Sequence, residues 1–424
     1  MTQTTATTAP VLRRRVFYIP GFDPAPPRRY RELYRKEARL QAAISGYAVD
    51  VGARHGAGAF GWSVTAIIDG QEVRTEFDVL VWSDIVRASM GGGVIATYWQ
   101  LLRTAWIYIS SGALFRLMRL RKGPVIAALY PIVVLLAELG AAGFIGWLMA
   151  RFSALGLNSL SRTIYSPSLI GPWSMQIMSL SLVAGLVAAV LLLRWFKRHD
   201  DRIFAYYLMH DYAFTAQLWG AYPPELEARM AVFKAAIAKA ATDRCDEVLV
   251  VGHSSGAHLA VSILADLIRD GLPETRPALA FLSLGQVVPM VSFLPAAHRL
   301  RADLHFLSAQ SGLTWVDVTA PGDGCAFALC DPVAVSGVAP PDKRWPLVIS
   351  AAFTQTLSPA RWKALRWRFF RLHFQYLCAF DQPGNYDYFR ITAGPQTLAA
   401  RFSGRVASKS RIETPTSGYT GRAA

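Results

Sequence analysis

The apolar and polar positions along the chain fall into two kinds of pattern. Short apolar runs alternate with longer helix-forming stretches, and two long segments carry almost no charge. Val16-Phe17-Tyr18-Ile19 reads as a buried strand halted by Pro20-Gly21-Phe22-Asp23-Pro24. Arg28 to Ala43 has no Gly or Pro and predicts a helix. Two or three strands are expected between Tyr47 and Ile68, with Asp69-Gly70 as a hairpin signal, and another over Phe77 to Trp82. Further on, the pattern predicts helices over 225–241, 257–269 and 294–307, and strands over 248–251, 279–284 and 313–318. Strand–helix alternation with short apolar strands implies an α/β fold built on a mostly parallel sheet, with helices on both faces.

The long segments are Pro124 to Ala150, with Glu138 as its single charge, and Trp173 to Leu193, with none. Each exceeds the roughly 20 apolar residues that a membrane-spanning helix needs. Between Thr97 and Leu120 the chain is aromatic and apolar but keeps Arg103, Arg116 and Arg119. It reads equally as an amphipathic helix lying at the membrane interface, with Trp99, Trp106 and Tyr108 at headgroup level, or as a buried domain helix.

These segments divide the chain into a flexible tail (1–15), a first half-domain (16–96), an interfacial helix with a transmembrane hairpin (97–202, spans 124–150 and 173–193), a second half-domain (203–402) and a flexible tail (403–424). A long insertion into a sheet is tolerable because loop-closure cost grows slowly with length.

Composition fits this division. Hydrophobic residues make up 53% and charged residues 17%, which excludes a largely disordered chain. The net charge of +15 comes with no basic stripe interleaved with aromatics and no zinc-finger spacing, so no nucleic-acid partner is expected. Basic residues instead flank the apolar segments: Arg116, Arg119, Arg121 and Lys122 before, Arg194, Lys197 and Arg198 after. By the positive-inside rule both flanks lie in the cytosol, giving an inner-membrane protein with two spans and cytoplasmic globular halves. Glu138 near mid-membrane is expected to hydrogen-bond between helices or to be protonated. Cys245, Cys325, Cys330 and Cys378 form no C-x-x-C pair and are expected as reduced, partly buried thiols. With no His/Cys ligand spacing, Walker loop or dinucleotide fingerprint, no metal and no nucleotide cofactor is expected.

One string carries chemistry: Val248-Leu249-Val250-Val251-Gly252-His253-Ser254-Ser255-Gly256-Ala257. Gly252-x-Ser254-x-Gly256 joins a predicted buried strand to a predicted helix, where a serine on a strained corner lifts its hydroxyl above the sheet. The string resembles the nucleophile corner of the α/β-hydrolase superfamily, in its lipase and esterase branch.

That resemblance implies a Ser, then Asp or Glu, then His order along the chain. It makes Ser254 the nucleophile and His373 the base. His253 and His258 lie in the corner itself, and His298 and His305 precede the strand that should deliver the acid. The surrounding Leu372-His373-Phe374-Gln375-Tyr376 is similar to His-x-x-Tyr sequences of some lipase-like members. For the acid, Asp323 in the Pro-Gly loop is preferred to Asp317 inside the strand, with Asp331 third. The oxyanion hole would use the backbone N–H groups of Ser255 and, from the Pro20–Asp23 loop, Phe22. Pro20 stands where the family usually has His, which leaves the second donor open. The implied activity is a membrane-anchored serine esterase acting on a small acyl ester or a lipid. The alternative is a non-catalytic, hydrolase-like membrane protein that binds a lipid or protein partner.

Overall fold

The computed structural model describes residues 10–54, 60–164, 174–273 and 277–423. Trp173, the first residue of the second apolar segment, lies outside them. The chain forms two compact units, one from Met1–Ser89, Trp106–Val125 and Thr215–Ala424, the other from Met90–Ala105 and Ile126–Phe214.

The first unit is α/β. Strand β1 (Arg13–Ile19) leads through a loop to helix α1 (Arg28–Ser45), then β2 (Ala48–Ala53), β3 (Gly61–Ile68) and β4 (Gln71–Val79). Asp69 and Gly70 join β3 to β4 with φ of 54° and 76°, the paired positive values that a tight hairpin turn requires. β4 begins eight residues before the next fully apolar run because only alternate side chains at its start are buried. The predicted strand over 77–82 overlaps only the end of β4, which stops at Val79, so Leu80, Val81 and Trp82 lie beyond it.

Helices α2 (Val94–Ser110), α3 (Ala113–Leu120), α4 (Lys122–Ile164), α5 (Ser174–Arg198) and α6 (Ala205–Ala216) follow. Next come α7 (Pro224–Ala240), β5 (Glu247–His253), α8 (Gly256–Arg269), β6 (Ala278–Leu284), α9 (His298–Ala309), β7 (Thr314–Thr319), β8 (Leu347–Ser350) and α10 (Phe369–His373). The expected helix over 294–307 starts later, at His298; Pro295 stands in the connection after a separate turn at Val288–Ser292.

All eight strands form one sheet in the order β2-β3-β4-β1-β5-β6-β7-β8. β4, β1, β5, β6, β7 and β8 pair in parallel, and β3 runs antiparallel between β2 and β4. Every residue of β5 is buried, as a central parallel strand requires. The apolar core gathers side chains such as Tyr34, Trp62, Phe77, Leu249, Leu282, Val316 and Phe389.

Of the segments expected to be flexible tails, the described residues 13–15 and 403–423 take part in the fold. β1 takes in Arg13–Arg15, within the expected flexible tail. These basic residues are paired: Arg14 Nε meets Glu247 at 2.6 Å in full burial, and Arg15 meets Asp78 at 2.5 Å. The segment after 403, expected to be flexible, is pinned to the first unit. Ser408 N–H donates to Val348 O at 2.9 Å, Ile412 N–H to Leu329 O at 2.7 Å, and Arg301 Nε to Gly421 O at 2.7 Å.

In the second unit, α4 and α5 are long and apolar enough to cross a membrane, with mean hydropathy of 2.2 and 2.3 over their most apolar windows. α4 runs on to Ile164 as continuous helix, so the expected connection after Ala150 is helical for most of its length. The two helices approach at Gly146 and Gly185. A Cβ on Gly146 would stand 2.7 Å from Gly185 O, and one on Gly185 would overlap Gly146 O. Such contact between small residues is how helices pack where water supplies no driving force. α2 exposes Ile95, Trp99, Leu102, Trp106 and Ile109, which recur every three or four residues and are 50–87% accessible. Leu101, Thr104, Ile107 and Tyr108 are buried on the other side of the helix.

Candidate active site

The site is built from the carboxyl ends of β1, β5, β6 and β7, together with α10. β5 ends in Gly252-His253, and Ser254 follows with φ of 56°, a left-handed conformation that costs a non-glycine residue of order 1 kcal/mol or more. The corner survives because close packing on every side leaves the chain no other path. A Cβ on Gly252 would stand 2.8 Å from Ala257 Cα, and one on Gly256 would lie 2.1 Å from Ile19 O. Both glycines are therefore sterically required. Ser254 N–H donates to Leu284 O at 2.9 Å, and Ser254 O accepts from Ala257 N–H at 3.1 Å as α8 begins. Ser254 itself is half-buried.

The loop after β1 presses on this corner. A Cβ on Gly21 would fall 2.9 Å from Ser254 Cβ and 3.4 Å from its Oγ. Trp82 Nε1 donates to Pro20 O at 2.9 Å. Asp23 accepts from Ala25 N–H at 2.9 Å and from Tyr30 Oη at 2.5 Å, which fixes the loop just beyond Phe22. The Phe22 ring is buried and meets Trp82 edge-on at 6.0 Å. Thus Phe22 sits in a loop whose backbone abuts Ser254, and Ser255 stands at the position just before α8.

The other side holds a buried imidazole and carboxylate. His373 Nδ1 lies 2.8 Å from Asp323 Oδ2, with both residues buried. The same carboxylate oxygen accepts from Tyr376 Oη at 3.0 Å, and Asp323 Oδ1 accepts from Cys325 N–H at 2.9 Å. Tyr376 Oη also accepts from Ala320 N–H at 2.9 Å, so the phenol ties the end of β7 to the acid. Burial alone would raise the Asp323 pKa, but the adjacent His373 charge and these hydrogen bonds prevail and hold it below the usual carboxylate range. An ionised Asp323 only accepts, so the proton of that hydrogen bond sits on His373 Nδ1, and Nε2 is left to face away from the acid.

Leu284-Gly285, at the end of β6, lies between the two halves. Ser254 N–H bonds to Leu284 O, while a Cβ on Gly285 would stand 3.1 Å from His373 Cε1 and 2.7 Å from Tyr376 Cε2. His253 makes a second link. Its Nε2 lies 3.0 Å from His373 O, and the two rings are 4.9 Å apart. Burial first, then the neighbouring His373, push the His253 pKa down to about 3. A carbonyl accepts only, so neutral His253 donates through Nε2–H and braces the His373 backbone.

The alternative acids lie elsewhere. Asp317 is fully buried in β7 and accepts from Ser283 Oγ at 2.5 Å; burial pushes its pKa up to about 8. Asp331 caps the helical turn that follows it, accepting from Val333 N–H at 2.9 Å and Ala334 N–H at 3.0 Å, and pairs with Lys343 at 2.6 Å. Asp84, given no role by the sequence, is held by Arg229 in a two-pronged pair at 2.8 and 2.6 Å. Of the other histidines, His258 is buried beside Tyr222 Oη at 3.1 Å, and His298 and His305 lie near backbone carbonyls.

Sequence reasoning assigned no role to Tyr376 or His253, although both flank residues it named: Tyr376 is the tyrosine of the His-x-x-Tyr string and His253 precedes Ser254. It also gave Cys325 none. Cys325 comes close to Asp323 and His373, with one donor atom of each within 4.8 Å of the others. Residues two and fifty positions from Asp323 give no recognisable spacing.

No protein-family model, curated protein or solved structure matches the chain.

Proposed function

We propose that this protein is a serine hydrolase of α/β-hydrolase type that cleaves a carboxylic ester and is held at the inner membrane by α4 and α5. The observation that carries this reading is the Ser254 corner. A non-glycine residue held at φ of 56° between two sterically obligatory glycines, facing the loop at Gly21, is strain concentrated where a nucleophile would use it. The buried His373–Asp323 pair on the far side of Gly285 supports it.

In this mechanism His373 Nε2 takes the Ser254 hydroxyl proton as Oγ attacks the ester carbonyl. The oxyanion is held by the N–H groups of Ser255 and Phe22, aided by the N-terminus of α8. His373 then returns the proton to the departing alkoxide, leaving an acyl-serine. Water attacks this acyl group, giving its proton to His373 and then to Ser254 Oγ as the acid departs. Asp323 stays ionised throughout, orienting the ring and stabilising its charged form. No metal or organic cofactor takes part in these steps.

The membrane reading rests on exposure as well as length. Only 28% and 22% of the most apolar windows of α4 and α5 are buried, whereas the core helix of a soluble protein is mostly covered. The segment 124–150 is about 40 Å long at 1.5 Å per residue, enough to cross a hydrocarbon core of about 30 Å with tilt. The basic flanks put the globular unit in the cytoplasm. An enzyme so anchored meets membrane lipids at high local concentration, which makes acyl lipids the favoured ester class.

A fluorophosphonate probe applied to detergent-solubilised protein tests the nucleophile. Wild type should be labelled and Ser254→Ala should not. Labelling that persists in the variant removes Ser254 from this role.

A further inference from the structure

The fold assembles a ligand set that the sequence does not announce. Asp323 and Cys325 leave β7 two residues apart, and His373 arrives on α10, with one donor atom of each within 4.8 Å of the other two. Asp323 and His373 are buried, while Cys325 is half-buried and opens the group toward solvent. A carboxylate oxygen, an imidazole nitrogen and a thiolate sulfur together suit a borderline-soft divalent ion that accepts four-coordination.

The distances permit it with small movements. Bonds of about 2.0–2.3 Å at tetrahedral angles place donors roughly 3.3–3.7 Å apart. The 2.8 Å separation of His373 Nδ1 and Asp323 Oδ2 would have to open by about half an ångström, and the sulfur, within 4.8 Å of both, to close by at most about one, if the ion is to reach all three. Cys325 lies in the loop after β7, beyond Pro321-Gly322, where such a shift needs no strand to move. Tyr376 Oη would remain as a donor to Asp323 from outside the coordination shell, the kind of support that orients metal ligands. The ion would replace the thiol proton, which is released to solvent, and the Nδ1 proton of His373 would move to Nε2.

We propose that Asp323, Cys325 and His373 form an inhibitory site for a divalent transition metal, with Zn²⁺ the best-matched ion and water completing its shell. Occupation takes the imidazole out of proton transfer. The inhibitory consequence rests on the serine-hydrolase reading given above; the binding itself does not.

Cobalt(II) provides a readout independent of activity. Full-length protein in detergent, stripped with a chelator, should bind one equivalent of Co²⁺ with a near-ultraviolet thiolate-to-cobalt charge-transfer band that Zn²⁺ competes away. Cys325→Ser and Cys325→Ala should both lose that band, and Cys245→Ser should keep it. A spectrum without sulfur ligation in wild type, or a band that survives in a folded Cys325 variant, overturns the site. In wild type, saturating Zn²⁺ should slow fluorophosphonate labelling about tenfold or more, as loss of a general base would, and chelator should restore it. Labelling indifferent to bound Zn²⁺ overturns the inhibitory role. Ser254→Ala should retain the cobalt band, so a protein that binds the metal but never labels counts against the hydrolase reading alone.

Discussion

The His253 ring lies 4.9 Å from that of His373, and its Nε2 meets the His373 carbonyl at 3.0 Å. The residue preceding the candidate nucleophile thus holds the backbone of the candidate base. Two groups 120 positions apart are registered through a single side chain whose pKa of about 3 keeps it neutral. His253→Ala should leave Ser254 present but slow fluorophosphonate labelling about tenfold or more, by misplacing the proposed base. The same variant should also alter acid sensitivity. An unfolded histidine takes its proton near pH 6.5 and folded His253 only near 3, so between these values the unfolded state binds more protons. His253 therefore contributes stability that is complete above 6.5 and is lost as pH falls toward 3. Chemical denaturation of wild type and variant across this range should show a shallower loss in the variant.

Asp323 and Asp317 should respond oppositely to amidation. Asp323→Asn leaves geometry nearly intact but favours the wrong imidazole tautomer, and labelling should fall by about three to four orders of magnitude. Asp317→Asn should label at close to the wild-type rate. Its signature is in stability: the folded pKa of about 8 lies above the ordinary 3.8, so the folded state binds more protons in between. Stability from Asp317 is complete below 3.8 and lost as pH rises through about 8. Urea titrations of Asp317→Asn should lack that loss between pH 3.8 and about 8, and an equal loss in both proteins would refute the assignment.

Gly256→Ala should be among the most damaging single-methyl changes in the chain. The added carbon would lie 2.1 Å from Ile19 O and 2.7 Å from Pro20 O, both backbone atoms. Overpacking of this kind costs about 1–3 kcal/mol and pushes the loop at Gly21 away from Ser254. Thermal unfolding should show a clear drop with loss of labelling, whereas Gly46→Ser, at a helix end where nothing lies within 4 Å, should show only a modest strain effect from its φ of 71° and label normally.

Arg14 and Glu247 are an ion pair without solvent, further tied by Arg14 Nη1 to Gly394 O at 2.7 Å and by Leu398 N–H to Glu247 at 2.6 Å. Removing one partner strands the other charge. Glu247→Ala should destabilise by about 3–5 kcal/mol, measured by denaturant unfolding, and replacing both residues by apolar ones of similar size should restore much of it.

The strands of the central sheet were legible because β5, β6 and β7 are apolar runs between turn signals. β8 was not foreseen: only four residues long, it sits among prolines and gives no period to detect. The polar start of β4 and the arginines of β1 escaped for other reasons. At the start of β4 the polar side chains alternate outward. In β1 the charges are neutralised by partners distant in sequence, Arg14 by Glu247 and Arg15 by Asp78, and no local window contains both halves of such a pair. The same holds for the tail after 403, whose polar composition conceals hydrogen bonds to Val348 and Leu329.

By itself the sequence determined the strand-to-helix corner at Ser254, the run of parallel strands and the two long apolar helices, because each follows from residue type and period within a short window. Tertiary structure alone decided that Asp323 rather than Asp317 faces His373, that Tyr376 and His253 lock that pair, and that Cys325 joins it. Those choices depend on which side of a strand or loop a residue occupies once the sheet has formed, a three-dimensional fact that neighbours along the chain do not encode.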